Sequence, residues 1–241
     1  TVKAVQPLFI GGKWLDSVSG KTFETTNPAT GEVICNVAEG DKADVDLAVA
    51  AARKAFEEGP WPKMSGAERG LLINKLADLI DANAGELARR DTLNNGKPIR
   101  EARYDAADAA GGFRYYAGLA TKPHGETYEV GDPNMISMSV REPVGVCGQI
   151  IPWNFPILMA AWKLAPGLAA GNCCILKPSE LTPWSAERLF ELIDEAGFPP
   201  GVAQLVHGLG DPVGATLAAS DHVDKIAFTG GEPTGRRIMQ A

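Results

Sequence analysis

One stretch, residues 144–180, constrains the fold more than any other part of the chain. It opens with an apolar run, 144–151, that a proline ends, which predicts a strand buried on both faces. Residues 157–170 are apolar on every side, which predicts a helix that other elements cover. A second apolar run, 173–176, predicts another buried strand. Because a strand, a crossover helix and a strand in this order form a parallel unit, the chain is predicted to be an α/β protein.

Polar residues follow each of these two strands. Asn154 lies in a proline-bounded turn after the first, and Lys177 and Glu180 follow the second. Ligands of open parallel sheets bind beyond the carboxyl ends of the strands, so we expect both turns to face one site. An amide there can stabilise an oxyanion, and a carboxylate can accept from ribose hydroxyls while repelling a 2′-phosphate. The simpler interpretation, in which Asn154 is a turn residue and the other two are solvated, stays open at this point.

The rest of the chain after this unit alternates between strand and helix patterns. Thr182 is placed to cap a helix beginning at Pro183, and Gly197 with the two prolines after it ends that helix. The predicted elements are strand 172–176, helix 183–196, strand 202–207, helix 211–219, strand 223–228 and a helix from about Pro233. This alternation is typical of a doubly wound parallel sheet.

The first half of the chain is predicted to be mostly helical. Residues 8–40 have the pattern of short strands and turns, without residues typical of catalysis. Asp41 is an N-cap candidate for a helix ending near Gly59, and Ser65 with Glu68 forms the capping-box pattern of the next. Two further helices are predicted over 84–94 and 98–120.

Residues 122–143 change character and predict a β-hairpin. Its arms, 128–130 and 136–140, flank a Gly-Asp-Pro-Asn loop. In the second arm Ile136, Met138 and Val140 would share one face. Since a lone hairpin is only marginally stable, we expect this one to pack on another surface, such as a second subunit.

Two glycine-rich turns follow predicted strands of the second half. The first, 208–214, has one residue more before its third glycine than the usual dinucleotide fingerprint, so nucleotide binding and a plain turn are both open. The second, 229–235, follows strand 223–228. Two such turns at one sheet edge favour a bound nucleotide.

Composition excludes several classes of function. The net charge of −7 and the lack of a basic run argue against nucleic acid as a partner. No apolar stretch is long enough to span a bilayer, and the N-terminus shows no signal-peptide pattern, so the expectation is a cytoplasmic protein without a membrane partner.

The cysteines and histidines predict no metal site. Cys35, Cys147, Cys173 and Cys174 have neither C-x-x-C spacing nor a histidine nearby, so neither zinc nor a disulfide framework is expected. We expect all four to be reduced and structural. The three histidines fall in unrelated loops or strand ends, and none is assigned a role.

Five consecutive runs together resemble the aldehyde dehydrogenase superfamily. They are GQIIPWNFP at 148–156, AWKLAPGLAAGN at 161–172, KPSELTP at 177–183, EAGFPPGV at 195–202 and VDKIAFTG at 223–230. Their order and spacing resemble those in the cofactor half of these enzymes, and the NAD-dependent aldehyde and betaine-aldehyde types are most similar. The likeness runs from about Phe9 to the last residue.

The resemblance implies a role for each matching residue. Asn154 would be the side-chain donor to the oxyanion of a thiohemiacetal. The cofactor, NAD with NADP as the alternative, would contact Ile150, Ile151, Pro152, Trp153, Lys177, Ser179, Glu180, Gly210, Gly214, Phe228, Thr229 and Gly230. Phe155, Met159 and Trp162 would line an aldehyde tunnel, although large apolar residues such as Trp153, Met159 and Trp162 are more often part of a core.

The same resemblance divides the chain into three parts. Residues 1–122 would be the N-terminal helical part of the cofactor-binding domain, 123–143 an oligomerisation hairpin and 144–241 a Rossmann-like NAD-binding domain. The implied partners are a small-molecule aldehyde and further copies of the chain, joined through the hairpin.

Two departures from the family pattern matter. Gly231, Glu232 and Pro233 stand where many members have Ser-Thr-Glu, and the proline would stiffen the first turn of the helix. The nucleophilic cysteine and the general-base glutamate of the family lie beyond Ala241 in members of the family, and none of the four cysteines matches the nucleophile motif. The leading hypothesis is therefore the cofactor-binding part of an NAD(P)-dependent aldehyde dehydrogenase, inactive by itself.

Two alternatives remain open. One is a catalytically silent module for NAD binding or oligomerisation, and the other is an unrelated doubly wound binding protein, since architecture alone does not determine function.

Overall fold

The computed structural model describes residues 5–241. Its strands are β1 Val5–Gln6, β2 Leu8–Ile10, β3 Lys13–Leu15, β4 Thr22–Thr26, β5 Val33–Ala38, β6 Thr127–Tyr128, β7 Ser137–Met138, β8 Val146–Ile150, β9 Cys173–Lys177, β10 Ala203–Leu205 and β11 Lys225–Phe228. Its α-helices are α1 Lys42–Glu57, α2 Gly66–Ala82, α3 Ala84–Asn95, α4 Ile99–Leu119, α5 Pro156–Ala169, α6 Trp184–Ala196, α7 Ala215–Ala218 and α8 Glu232–Gln240. A 3₁₀ turn spans Trp61–Lys63.

The main sheet confirms the predicted doubly wound α/β fold. Its strand order is β11-β8-β9-β10-β2-β3, and β8 to β11 run parallel. β9 is buried along its whole length, as a strand covered on both faces should be. The antiparallel strands β2 and β3 extend this sheet beyond β10, so residues 8–15 belong to the same sheet as the second half of the chain. A smaller sheet has the order β1-β5-β4.

Helices cover the main sheet in two groups. α1 packs on β8 and β9 and contacts α7, whereas α5 and α6 pack on the sheet and against α2 to α4. One continuous hydrophobic core joins these layers. Trp61 is fully buried in it, and its indole N–H donates to the backbone carbonyl of Asn172 at 3.1 Å. This bond ties the helical half to the turn before β9.

Local capping signals correctly predicted the starts of α1 and α2. Asp41 caps α1 and bonds the Ala43 N–H, and Ser65 forms the predicted reciprocal capping box with Glu68. Gly197 ends α6 in the left-handed conformation that favours glycine.

The predicted cap of α6 is wrong. The Thr182 hydroxyl is buried without a hydrogen-bond partner, and the first N–H of the helix, that of Trp184, donates instead to the Asn94 side chain at 3.1 Å. Asn94 belongs to α3, so a residue distant in sequence replaces the local cap.

The predicted helix over 211–219 is also wrong in its extent. A π-helical turn, Gly210–Gly214, precedes the short α7, and Asp211 within that turn has extended dihedral angles. A residue before proline is driven out of the helical region, and Pro212 follows Asp211.

The hairpin forms, but its paired arms are shorter than predicted. β6 and β7 pair over two residues each and make a separate two-stranded sheet. Ile136, Met138 and Val140 are each more than 60% exposed, so their shared apolar face is uncovered in the single chain. No helix within residues 5–241 is both long and apolar enough to cross a lipid bilayer.

Candidate functional site

Three parallel strands end side by side at one edge of the main sheet. In the ladder register Ile150 of β8 lies opposite Lys177 of β9 and opposite Phe228 of β11. The turns that follow these strands carry Asn154, Glu180 and the second glycine-rich segment. The register therefore brings the sequence-predicted residues of distant segments to a common edge.

A cavity of about 410 Å³ opens beside this edge, between β8, β9, the turn before α7, and α8. Four of the residues predicted to contact a cofactor line it. Its full lining is Ile150, Lys177, Gly210, Asp211, Gly214, Ala215, Ala218, Ala219, Thr234, Arg237, Ile238 and Ala241. Most of these side chains are apolar or absent, and Lys177 and Arg237 supply positive charge.

Lys177 is buried, with 3% of its surface exposed. Its ammonium group donates to the carbonyl of Pro178 at 3.0 Å and lies 3.5 Å from a carboxylate oxygen of Glu180. Burial lowers the pKa of Lys177, while the nearby Glu180 charge opposes that shift. The lysine is therefore a fixed donor at the end of β9 and not a mobile surface chain.

Glu180 and Ser179 complete the turn after β9. Ser179 is buried, and its hydroxyl accepts from the Leu181 N–H at 3.3 Å. The Glu180 side chain is 39% exposed, so its carboxylate is accessible to a ligand at the sheet edge.

Gly214 leaves room in the cavity wall. A Cβ built there would lie 3.9 Å from both the Ile150 Cδ1 and the Lys177 Cδ, which is ordinary contact. Because its φ of −64° suits any residue, the glycine is not needed for backbone geometry. A larger side chain would project among the residues that line the cavity.

The second glycine-rich turn packs closely on its own strand. A Cβ at Gly230 would lie only 2.5 Å from the Phe228 ring, so a side chain there would collide with it. Thr229 accepts a hydrogen bond from the Lys163 ammonium group at 2.8 Å, and its N–H bonds the carbonyl of Ile150. Burial lowers the pKa of Lys163. β11 and α5 are thus tied together beside the turn after β8.

The Asn154 turn lies on the open side of the same edge. Ile151 is buried in the core and Pro152 is half-buried, but the following residues are exposed, with Trp153 at 54% and Phe155 at 39%. Within residues 5–241 no hydrogen bond involves the Asn154 side chain. Its amide therefore remains available to an external acceptor.

Phe155, Met159 and Trp162 lie on one side of the start of α5. Met159 is partly buried against the core. Trp153 and Trp162 are 54% and 56% exposed, so these two tryptophans are not core residues of the chain. Beside Trp162 a hollow of about 490 Å³ is lined by Gly111, Gly112, Tyr115 and Tyr116 of α4.

The four cysteines are buried and free, as predicted. Burial raises the pKa of Cys35 and Cys147 to about 11 and that of Cys173 to about 12, and it raises the pKa of Cys174 as well. Since the thiolate is the nucleophile, none of these thiols is suited to attack a substrate near neutral pH.

Sequence reasoning missed several residues near the site. Arg237 and Ile238 line the cavity from α8, a helix predicted without a role. His207 is buried, and burial with the Lys177 charge lowers its pKa to about 3, so it is neutral. Asn95 donates to the Trp153 carbonyl at 2.7 Å. No local pattern marks these residues, because each acts across a tertiary contact.

The fold and site together define a doubly wound α/β protein with a cavity at the carboxyl edge of its parallel strands, where ligands of this class of fold bind. The chain belongs to the aldehyde dehydrogenase family, whose family model matches residues 14–241. It is 53% identical over 236 residues to the mitochondrial aldehyde dehydrogenase of Homo sapiens, covering 97% of this chain and 46% of that protein. It is 48% identical to betaine aldehyde dehydrogenase of Bacillus subtilis, covering 98% of this chain and 48% of that enzyme.

Solved structures agree with this assignment. The NAD+ complex of an aldehyde dehydrogenase from Bacillus cereus matches with a TM-score of 0.95 and 47% identity, over 97% of this chain and 48% of that one. The chain therefore spans about half the length of the relatives it matches.

Proposed function

We propose that this chain is the cofactor-binding half of an NAD-dependent aldehyde dehydrogenase, which oxidises an aldehyde to a carboxylic acid. The observation that carries the proposal is the register of β8, β9 and β11. It aligns a largely apolar cavity, a buried lysine and an unpaired amide along one sheet edge. Relatives with the same arrangement of strands include an NAD+ complex.

The cavity suits the adenosine end of NAD. Its walls include the apolar side chains of Ile150, Ala215, Ala218 and Ile238, against which an adenine ring could pack. At its rim the buried Lys177 would donate to ribose hydroxyls, and the partly exposed Glu180 would accept from them. A second negative charge beside Glu180 would be repelled, so NAD is preferred to NADP.

The remaining predicted contacts would follow the cofactor along the sheet edge. Ser179 would orient the turn that carries Glu180, and Gly210 with Gly214 would admit the adenosine. Residues 151–153 and 228–230 would lie beyond this cavity, towards the phosphates and the nicotinamide. When bound, NAD supplies the hydride acceptor of the reaction.

Asn154 is proposed to donate a hydrogen bond to the oxygen of the aldehyde carbon as that oxygen becomes negative. An amide held near a developing oxyanion stabilises the transition state more than the substrate. The family resemblance implies that the attack comes from a cysteine thiolate and that a glutamate activates water. No residue of this sequence matches either motif, and the four buried thiols are unsuited to attack.

The aldehyde is proposed to approach along Phe155, Met159 and Trp162. The exposure of Trp162 and the hollow beside α4 support this direction of approach. The exposed apolar face of the hairpin, 123–143, supports assembly with further copies of the chain.

A second candidate is a silent NAD-binding or oligomerisation module. The specific observation in its favour is that every thiol of the chain is buried with a raised pKa. The enzyme predicts both NAD binding and turnover, whereas the silent module predicts no turnover and binds NAD only if its role is nucleotide binding.

The test measures two quantities. The first is the dissociation constant of NAD for this chain, from quenching of tryptophan fluorescence. The second is aldehyde-dependent formation of NADH by the complete natural polypeptide that contains this sequence. Binding with turnover supports the enzyme, binding without turnover supports the silent NAD-binding module, and absence of binding rejects both of these and leaves only an oligomerisation module.

A further inference from the structure

We infer that Asn95 is a positioning residue for Asn154, because its side chain hydrogen-bonds the peptide group that joins Trp153 to Asn154. The inference rests on the proposed function, in which the Asn154 amide stabilises an oxyanion. It gives Asn95, the last residue of α3, an indirect role in the proposed reaction although Asn95 is not itself one of the proposed site residues.

The Asn154 turn has little structure of its own. Trp153, Asn154 and Phe155 are exposed bends between a sheet strand and a helix. In the described part of the chain, none of their three N–H groups bonds to another backbone group. An exposed segment without internal hydrogen bonds samples many conformations unless something outside it restrains it.

Asn95 supplies such a restraint. Its side-chain N–H donates to the Trp153 carbonyl at 2.7 Å. That carbonyl and the N–H of Asn154 belong to one planar peptide unit, which ends at the Asn154 Cα. Fixing the carbonyl therefore fixes the N–Cα bond of Asn154, so that only φ and the side-chain torsions of Asn154 still set where its amide points.

The other end of the Asn95 amide also forms a hydrogen bond. Its oxygen accepts from the Lys97 N–H at 3.1 Å, so the nitrogen must be the atom that faces Trp153. Both atoms of the amide are engaged, which leaves its orientation unambiguous.

The far side of the turn is held by the same segment. The Lys97 ammonium group lies 4.1 Å from the centre of the Phe155 ring and forms a buried ion pair with Asp105 of α4. Two residues further, the Ile157 N–H points to the Asp91 carboxylate at 3.5 Å. Residues on both sides of Asn154 are thus restrained by residues 91–97, and Asn95 acts at the nearest point.

Placement matters more for this amide than for an ordinary turn residue. A misplacement of about 1 Å at a reacting centre can lower a rate about 100-fold. By contrast, an exposed hydrogen bond contributes little to stability. Loss of the Asn95 bond should therefore reduce turnover without unfolding the protein.

The experiment uses the complete natural polypeptide that contains this sequence and replaces Asn95 by Ala. We expect kcat to fall about 10- to 100-fold, while the KM for aldehyde, the Kd for NAD and the melting temperature change little. Asn95→Asp keeps the acceptor for Lys97 but places an oxygen against the Trp153 carbonyl, so it should lose as much activity.

Asn83→Ala is the matched control. Asn83 lies at the other end of α3, donates to the Leu79 carbonyl at 2.8 Å and accepts from Arg188 at 2.8 Å. Its replacement removes the same kinds of bond without touching the Asn154 turn, so kcat should stay within about two-fold of the wild type.

A double-mutant cycle with Asn154→Ala tests whether Asn95 acts through Asn154, and it distinguishes a failure of this inference from a failure of the proposed function. If Asn95 acts through Asn154, then Asn95→Ala should have little further effect once Asn154 is replaced. Equal losses in both backgrounds, or an Asn95→Ala enzyme as active as Asn83→Ala, would overturn the inference alone. An inactive wild type, or an Asn154→Ala enzyme with full activity, would overturn the proposed function and this inference with it.

Discussion

The turns after β8 and β9 begin at paired positions of one sheet but are stabilised in opposite ways. After β9, Lys177 and Ser179 are buried, and the ammonium group of Lys177 bonds to its own turn. After β8, Trp153, Asn154 and Phe155 are exposed, and their restraints come from the end of α3 and the segment that joins it to α4.

Under the proposed function, the difference corresponds to two roles at one site. A cofactor cleft must keep a constant shape, and burial of its polar groups in the sheet edge provides that. An amide that stabilises a reacting oxygen must be accessible to substrate, so it cannot be buried, and its precision must come from neighbouring elements. The comparison predicts that mutations in the turn after β9 alter binding and mutations around the turn after β8 alter turnover.

The largest effect is expected for Asn154→Ala. Removing a donor to an oxyanion typically lowers kcat about 100- to 1,000-fold, and the exposed Asn154 makes no internal hydrogen bond whose loss would affect folding. Steady-state kinetics and NAD titration of the complete natural polypeptide provide the measurement. A parallel loss of NAD affinity would contradict the separation of tasks between the two turns.

A smaller effect is expected for Gly214→Leu. The leucine side chain would occupy the cavity beside Ile150 and Lys177, so the Kd for NAD should rise about 10-fold or more. Gly118→Leu is the control, because Gly118 is exposed in α4, a Cβ added there would meet nothing within 4 Å, and the residue lines neither cavity. Equal NAD affinities for the two variants would show that the cavity is not the adenosine site.

Glu180→Gln should change cofactor preference by several-fold. Removing the negative charge relieves repulsion of a 2′-phosphate, so NADP binding should improve relative to NAD. Glu129→Gln, an exposed hairpin residue, makes the same change in charge away from the site. An unchanged ratio of the two dissociation constants would remove Glu180 as the discriminating residue.

Asp91→Asn is expected to have the smallest effect on binding and turnover, and its main effect should be on the free energy of unfolding. Burial raises the pKa of Asp91 from 3.8 to about 6, so the folded state binds its proton more tightly than the unfolded state. The contribution of Asp91 to the stability of the wild type should therefore fall as pH rises from about 4 to 7, by up to about 3 kcal/mol at about 1.4 kcal/mol per pKa unit.

The asparagine variant lacks this titration but keeps an acceptor for the Ile157 N–H. Urea unfolding at several pH values gives the difference in unfolding free energy between the variant and the wild type. That difference should grow with pH in favour of the variant. A difference that stays constant between pH 4 and 7 would mean that Asp91 does not titrate in this range.

Much of the site could be predicted because its residues stand directly after strands. Apolar runs ended by Pro152 and Lys177 define two neighbouring strands, and the parallel connection then places both turns at one edge. The prediction failed where a local signal was overruled from a distance. Thr182 has the sequence pattern of a cap, but Asn94 holds the helix start because α3 packs there.

The sequence by itself determined the alternation of strands and helices, the capping of α1 and α2, and the turns that carry Asn154 and Glu180, since periodicity and capping act over a few residues. Only the tertiary structure decided how those turns are held. The bond from Asn95 to Trp153 joins residues 58 positions apart, and nothing in either segment predicts the other. Such contacts depend on the packing of whole helices against the sheet, which local patterns do not encode.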